Sequence, residues 1–204
     1  MYVPFYTAEA ALIEDHGEVF LTGATWAEDN GVIRPIYFMP NDGFDYPCED
    51  LDAVRDSAAV YYRCLDRILE KMPLDLSNYE KTYYFILVTS LAAEHEDEYI
   101  ERIFAPYDTL VVGKTVCRGF AQTFAELCRR SEISAWYCVG YSPDGQRHAW
   151  NRIDTTDGPR YIDVTWYDGS KVTTHYRQGD FQYLFMTQQD YDRFGYREDA
   201  KSDK

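Results

Sequence analysis

No stretch of the 204 residues approaches the roughly 20 consecutive apolar residues that a transmembrane helix needs, so the chain offers no helical membrane span and is read as soluble. Positive charge is also scarce. Lys and Arg number 20 against 35 Asp and Glu, a formal net charge of −15, which argues against a nucleic-acid partner held through phosphate contacts. Solvation of the surface accounts for most of that charge, with a cationic substrate as the alternative. The opening Met-Tyr-Val-Pro-Phe-Tyr lacks the basic segment and apolar core of a secretory signal. The expected localisation is cytoplasmic, or a secreted or cell-surface domain whose leader has been removed. Cysteine is sparse, with five residues at 48, 64, 117, 128 and 138, no C-x-x-C pair and no tight Cys/His cluster. A zinc site is not expected, nor any other metal or cofactor, and the odd count leaves at least one thiol unpaired. Internal repeats and low-complexity blocks are absent too.

What is present suits one globular domain over residues 1–204, with 46% hydrophobic residues. The 19 tyrosines imply core positions whose hydroxyls need partners at the core rim. Residues 1–50 read as an accessory region with one or two peripheral strands around Val32–Met39, where Pro35 favours an edge. A helical part follows over 51–102. Leu51, Val54, Ala58, Tyr61, Leu65, Ile68 and Met72 recur at helical spacing until Pro73, and Cys64 beside that face reads as core packing. Ser77-Asn78-Tyr79-Glu80 is a capping box that opens a second helix. Glu94 to Glu101 is acidic, and His95 within it reads as a solvated residue.

Residues 103–187 are read as the catalytic core and 188–204 as a tail. Ile103 to Thr115 is expected to be an irregular approach, interrupted by Pro106 and Gly113. Phe120, Ala121, Phe124, Leu127 and Cys128 then follow helical periodicity, so a helix begins near Cys117 and ends near Ser131. Ala135–Tyr141, Arg147–Ile153 and Arg160–Trp166 are strand-like, joined by short turns, and predict an antiparallel meander. Phe181–Met186 is a further strand candidate, Gln188–Tyr191 a short helix, and Glu198–Lys204 a fraying end.

A thiol at a helix N-terminus sits where unpaired N–H groups and the helix dipole favour a thiolate. Cys117 occupies such a position. A nucleophilic thiol needs a base, and the base needs an acceptor that fixes its tautomer. His148, opening the second strand, and Asp163, near the middle of the third, can supply both if the hairpin register brings them side by side. Cys128 and Cys138 are the contrast, one on an apolar helix face and one in mid-strand, and both read as inert core.

These residues carry a resemblance. Val116-Cys117-Arg118-Gly119-Phe120-Ala121, then His148-Ala149-Trp150-Asn151, then Tyr161-Ile162-Asp163-Val164-Thr165-Trp166-Tyr167-Asp168 resemble the three signature blocks of the transglutaminase-like superfamily, in that family's order. Tyr107–Lys114 and Tyr183–Thr187 are similar to bacterial members. The resemblance implies an α+β, papain-like core in which the helix bearing the nucleophile abuts an antiparallel sheet bearing His and Asp. It implies Cys117 as nucleophile, His148 as general base and acid, and Asp163 as the residue orienting His148. It further implies acyl transfer through a thioester on a peptide or protein substrate. Where the family usually carries Gly near the end of the cysteine helix, this chain has Arg130-Ser131-Glu132.

Other residues keep two readings each. Gly119 either admits a substrate backbone or allows close helix-to-sheet packing, and Trp150 and Trp166 either roof a substrate groove or fill the core. Asn151 and Asp168 either polarise the site or bond turn amides. The backbone N–H of Cys117 is the first candidate oxyanion donor, with Tyr107 as a candidate for the second. A cysteine peptidase or amidase is the expected function, because no calcium-loop pattern of clustered Asp, Asn and Gly points to a calcium-regulated crosslinker. The alternatives are a transglutaminase that uses an amine acceptor and a non-catalytic peptide- or cell-wall-binding module. Oligomeric state is not legible.

Overall fold

The computed structural model describes residues 21–25, 28–29, 32–33, 37–40, 51–96, 106–167 and 180–199. Pro35, Cys48, Asp168, the acidic stretch beyond Glu96 and the last residues from 200 lie outside the described residues. Near the N-terminus, β1 (Leu21–Thr25) pairs antiparallel with β4 (Tyr37–Pro40), and β2 (Glu28–Asp29) pairs with β3 (Val32–Ile33). Within the run where one or two strands were expected, Val32–Ile33 and Tyr37–Pro40 belong to two separate two-stranded sheets.

Helix α1 (Leu51–Lys71) ends before Pro73, and its residues Tyr61 and Leu65 are fully buried, with Cys64 half-buried beside them. Helix α2 (Asn78–Ala92) starts at the expected capping box. The Ser77 N–H donates to Glu80 Oε2 at 2.8 Å and the Glu80 N–H donates to Ser77 Oγ at 3.3 Å, which satisfies two amides that the first turn leaves free. Phe85 and Ile86 of α2 join Tyr61 and Leu65 in one core cluster with Phe120, Phe124 and Leu127.

The approach to the cysteine helix is helical where irregular chain was expected. Residues 106–112 coil into a wide π-type turn (Asp108–Val112), closed by the Gly113 N–H on the Asp108 carbonyl at 2.8 Å. The two presumed breakers mark its boundaries. Pro106 stands at the start, where a missing N–H is harmless, and Gly113 ends the turn at φ 80°, a conformation that favours glycine. β5 (Glu94–His95) then pairs in parallel with β6 (Lys114–Thr115). His95 is exposed, as a surface residue should be, yet it is held in that ladder and its ring lies nearly parallel to Phe120, 6.3 Å away.

Helix α3 (Cys117–Arg130) buries an unbroken run from Gly119 to Phe124. Its C-terminal end uses Glu132 in place of the expected glycine. Glu132 adopts φ 60°, its N–H donates to the Arg129 carbonyl at 3.2 Å, and the Ile133 N–H donates to the Cys128 carbonyl at 2.9 Å. These two bonds define a Schellman cap built on a non-glycine residue.

The central sheet has the order β10-β7-β8-β9 and is antiparallel throughout, from β7 (Ala135–Tyr141), β8 (Arg147–Thr155), β9 (Gly158–Ile162) and β10 (Arg197–Glu198). Cys138 pairs with Trp150, and Asn151 with Ile162. Side chains alternate between faces along each strand. Ile153 and Ile162 accordingly join the core beneath α3, while Cys138, Trp150 and Tyr161 face Met186, Tyr191 and Tyr196 on the other side. The chain therefore has the expected α+β architecture, with the helix that bears Cys117 packed on an antiparallel sheet that bears His148.

Two strand expectations are corrected. The third strand stops at Ile162, and Asp163 begins a turn in which the Tyr167 N–H donates to the Asp163 carbonyl at 3.2 Å. Phe181–Met186 is not a strand. Asp180–Tyr183 forms a 3-10 turn, Phe185 takes φ 53°, and only Met186 bridges to Tyr161. Beyond it, α4 (Gln188–Phe194) is capped by Thr187 and closed by Gly195 at φ 90°, and β10 keeps Glu198 on the sheet where fraying was expected.

Candidate active site

The β8–β9 ladder sets the geometry of the candidate triad. Its last pair is Asn151 with Ile162, so Asp163 follows one residue past the ladder and cannot pair with His148 across the strands. The carboxylate instead reaches back diagonally, and Oδ2 lies 2.7 Å from His148 Nε2. An ionised carboxylate only accepts, so Nε2 carries the hydrogen and donates. Nδ1 is then left for the Cys117 thiol, which lies close enough to raise the His148 pKa. His148 is 8% exposed and Asp163 is fully buried, whereas Cys117, first residue of α3, is half-buried.

Electrostatics favour an imidazolium here. Burial works against the charge on His148, but the hydrogen bond and charge of Asp163 outweigh it, with Cys117 adding to them, and the pKa is pushed up to about 10. The contrast with Cys128 is sharp, because burial alone pushes that thiol upward and leaves it inert. Cys138 is likewise buried, and Cys64, Cys117, Cys128 and Cys138 are all free thiols.

Asp163 is anchored on every side. Its Oδ1 accepts the Trp166 N–H at 3.2 Å, its own N–H donates to the Tyr183 carbonyl at 3.0 Å, and its Oδ2 also accepts the Tyr196 hydroxyl at 2.7 Å. Tyr196 was not among the residues singled out from sequence. One tyrosine among 19, inside a segment read as a tail, carries no local signal of this contact.

The remaining candidates separate. Trp150 is fully buried beneath the site, with its ring 6.2 Å from that of His148, so it supports the imidazole and has no free face for a groove. Trp166 is half-buried, with its ring 5.8 Å from His148 and edge-on to Tyr183 at 4.9 Å, and part of it remains open to a ligand. Tyr107 is half-buried against the main core, and Gly119 is buried in the first turn of α3. Asn151 takes neither of its expected roles. Its side-chain amide donates to the Ala121 carbonyl of α3 at 3.0 Å and to the Trp136 carbonyl at 3.3 Å, tying the helix to the sheet. Among the described residues, no group of three or more His, Cys, Asp or Glu could hold a metal ion, and no helix is long and apolar enough to cross a membrane.

A curated-protein comparison gives no significant match. Among solved structures, a TGase is similar at 16% identity and a TM-score of 0.47, covering 79% of this chain and 47% of its own. A protein from Cytophaga hutchinsonii described as a candidate cysteine protease is similar at 16% identity and a TM-score of 0.41, covering 70% of this chain and 61% of its own. The chain thus spans less than two thirds of either. Residues 70–167 match the transglutaminase-like superfamily, whose members are usually cysteine-based enzymes. Residues 70–167 of this chain are a domain of the transglutaminase-like superfamily.

Proposed function

We propose that this domain is a cysteine-dependent acyl-transfer enzyme that hydrolyses peptide or amide bonds, with Cys117 as nucleophile, His148 as acid and base, and Asp163 as the orienting carboxylate. The observation that carries the reading is the buried His148–Asp163 pair, bonded at 2.7 Å, whose ring also engages the Cys117 thiol. A protonated imidazole beside the sulfur supplies the positive charge that stabilises a thiolate, and the free N–H groups of the first turn of α3 add to it.

In the first half-reaction, the Cys117 sulfur attacks the carboxamide carbon, and the carbonyl electrons move onto oxygen. The Cys117 backbone N–H, in the first turn where helix geometry supplies no intrahelical acceptor, is the natural donor to that oxyanion. Collapse expels the amine, which takes its proton from the His148 imidazolium and leaves a thioester. In the second half-reaction, neutral His148 removes a proton from water as the water attacks the thioester, and the acid is released with Cys117 again a thiolate. Asp163 holds Nε2–H throughout, so Nδ1 stays directed to the reacting atoms. Water needs no acceptor subsite of its own, which favours hydrolysis. An amine in its place would make the same intermediate a transglutaminase product.

Two experiments test the reading. Iodoacetamide should modify Cys117 selectively near neutral pH, and His148→Ala should abolish the selectivity. Labelling no faster than an ordinary exposed thiol would sink the enzyme assignment in favour of a binding module. A peptide library offered with and without a primary amine, with Cys117→Ala as control, should give cleavage without amine incorporation. Incorporation would reassign the domain as a transferase.

A further inference from the structure

We infer that Tyr196 is a positioning residue of this site, its hydroxyl locking the Asp163 carboxylate against the His148 ring. The inference rests on the reading of Cys117 as the nucleophile. It concerns a residue beyond the 70–167 region that matches the superfamily.

The geometry has three parts. First, the Tyr196 hydroxyl donates to Asp163 Oδ2 at 2.7 Å, the same oxygen that accepts from His148 Nε2. With Trp166 N–H on Oδ1, both carboxylate oxygens are engaged, and loss of the hydroxyl frees the side that faces His148. Second, Tyr196 is itself fixed. It is 4% exposed, stands edge-on to Trp150 at 5.2 Å, stacks on Tyr191 at 5.3 Å, and follows the Gly195 cap that turns α4 into β10. Third, the same C-terminal segment grips the backbone of Asp163 through the Tyr183 carbonyl. A phenylalanine would fill the same aromatic cluster. The hydroxyl is spent on Asp163 alone among the bonds it makes here, and burial together with the Asp163 charge keeps that phenol protonated, hence a donor.

The test uses Tyr196→Phe, which keeps the ring and removes the hydroxyl, in the full chain. Iodoacetamide alkylation of Cys117 at pH 7 is measured in wild type, Tyr196→Phe, His148→Ala and the double variant. If Tyr196 acts through Asp163 and His148, Tyr196→Phe slows alkylation by about tenfold and adds nothing in the His148→Ala background. The His148 imidazole titration, followed by NMR, shifts in Tyr196→Phe because the hydroxyl and Nε2–H share one carboxylate oxygen. A wild-type rate in Tyr196→Phe, an equal loss in both backgrounds, or an unmoved titration would each overturn the assignment. Failure of the underlying reading looks different: wild-type alkylation would then be indifferent to His148→Ala, while the titration still decides whether Tyr196 positions Asp163.

Discussion

Gly140 stands opposite His148 in the β7–β8 ladder and opposite Glu198 in the β7–β10 ladder, so one glycine adjoins both the candidate base and the strand that follows Tyr196. A Cβ at this position would lie 2.0 Å from the Arg197 carbonyl oxygen and 2.8 Å from the Glu198 Cα, both backbone atoms that no rotamer change can clear. Gly140→Ala should therefore push β10 off the sheet, at a cost of about 1–3 kcal/mol. Hydrogen exchange checks the mechanism, because the Asp199 amide, bonded to the Val139 carbonyl at 2.9 Å, should lose protection before the core does. Full protection of that amide in the variant would contradict it.

The raised pKa of His148 makes stability depend on pH with a defined sign. An unperturbed histidine titrates near 6.5 and folded His148 near 10, so between those values the native state holds a proton the unfolded state has lost. The stabilisation is complete below about 6.5 and is lost as pH rises towards 10. The difference in unfolding free energy between wild type and His148→Gln should accordingly shrink from pH 6 to pH 10, by an amount on the order of a few kcal/mol. Urea denaturation at stepped pH measures it, and a flat difference would count against the bonded pair.

Glu132 closes α3 in the left-handed conformation, at φ 60°. A side chain there costs about 1 kcal/mol relative to glycine, which has no Cβ to crowd the following carbonyl. Glu132→Gly should raise Tm by roughly 2–4 °C for a chain of this size, without changing Cys117 reactivity. A lower Tm would mean that the cap is not the source of strain.

Asn151 is fully buried and bonds α3 to β7 through its amide. Asn151→Ala removes both bonds and should cost about 2 kcal/mol, a fall of roughly 4–8 °C in Tm. Thermal unfolding followed by circular dichroism reads this directly, and a change within 1 °C would assign the helix-to-sheet contact to packing alone.

How much of the molecule could be read from sequence depended on how far each signal extends along the chain. The helical spacing from Leu51 to Met72, the Ser77–Glu80 box and the run after Cys117 are signals that repeat from turn to turn, and all three produced the expected helices. The approach to Cys117 was misread because Pro106 and Gly113 look like interruptions in a linear string, whereas their backbone geometries frame a helical turn. Phe181–Met186 looked like a strand by composition, but Phe185 and the 3-10 turn leave it only one bridge to the sheet. Glu132 shows the reverse case, a position where glycine was the expected solution and the fold holds a charged residue in the same conformation.

By itself the sequence determined the three longer helices and the strand meander, the order of the three signature blocks and the separation of Cys117 from the buried thiols, because periodicity, capping and turn chemistry are local. Only the tertiary structure decided that Asp163 leaves its strand and reaches diagonally to His148, that Asn151 binds the helix, and that Tyr196 completes the coordination of the carboxylate. Those contacts join residues 15, 30 and 33 positions apart. Their geometry is fixed by strand register and by the close seat of β10 against Gly140, neither of which any short window of sequence contains.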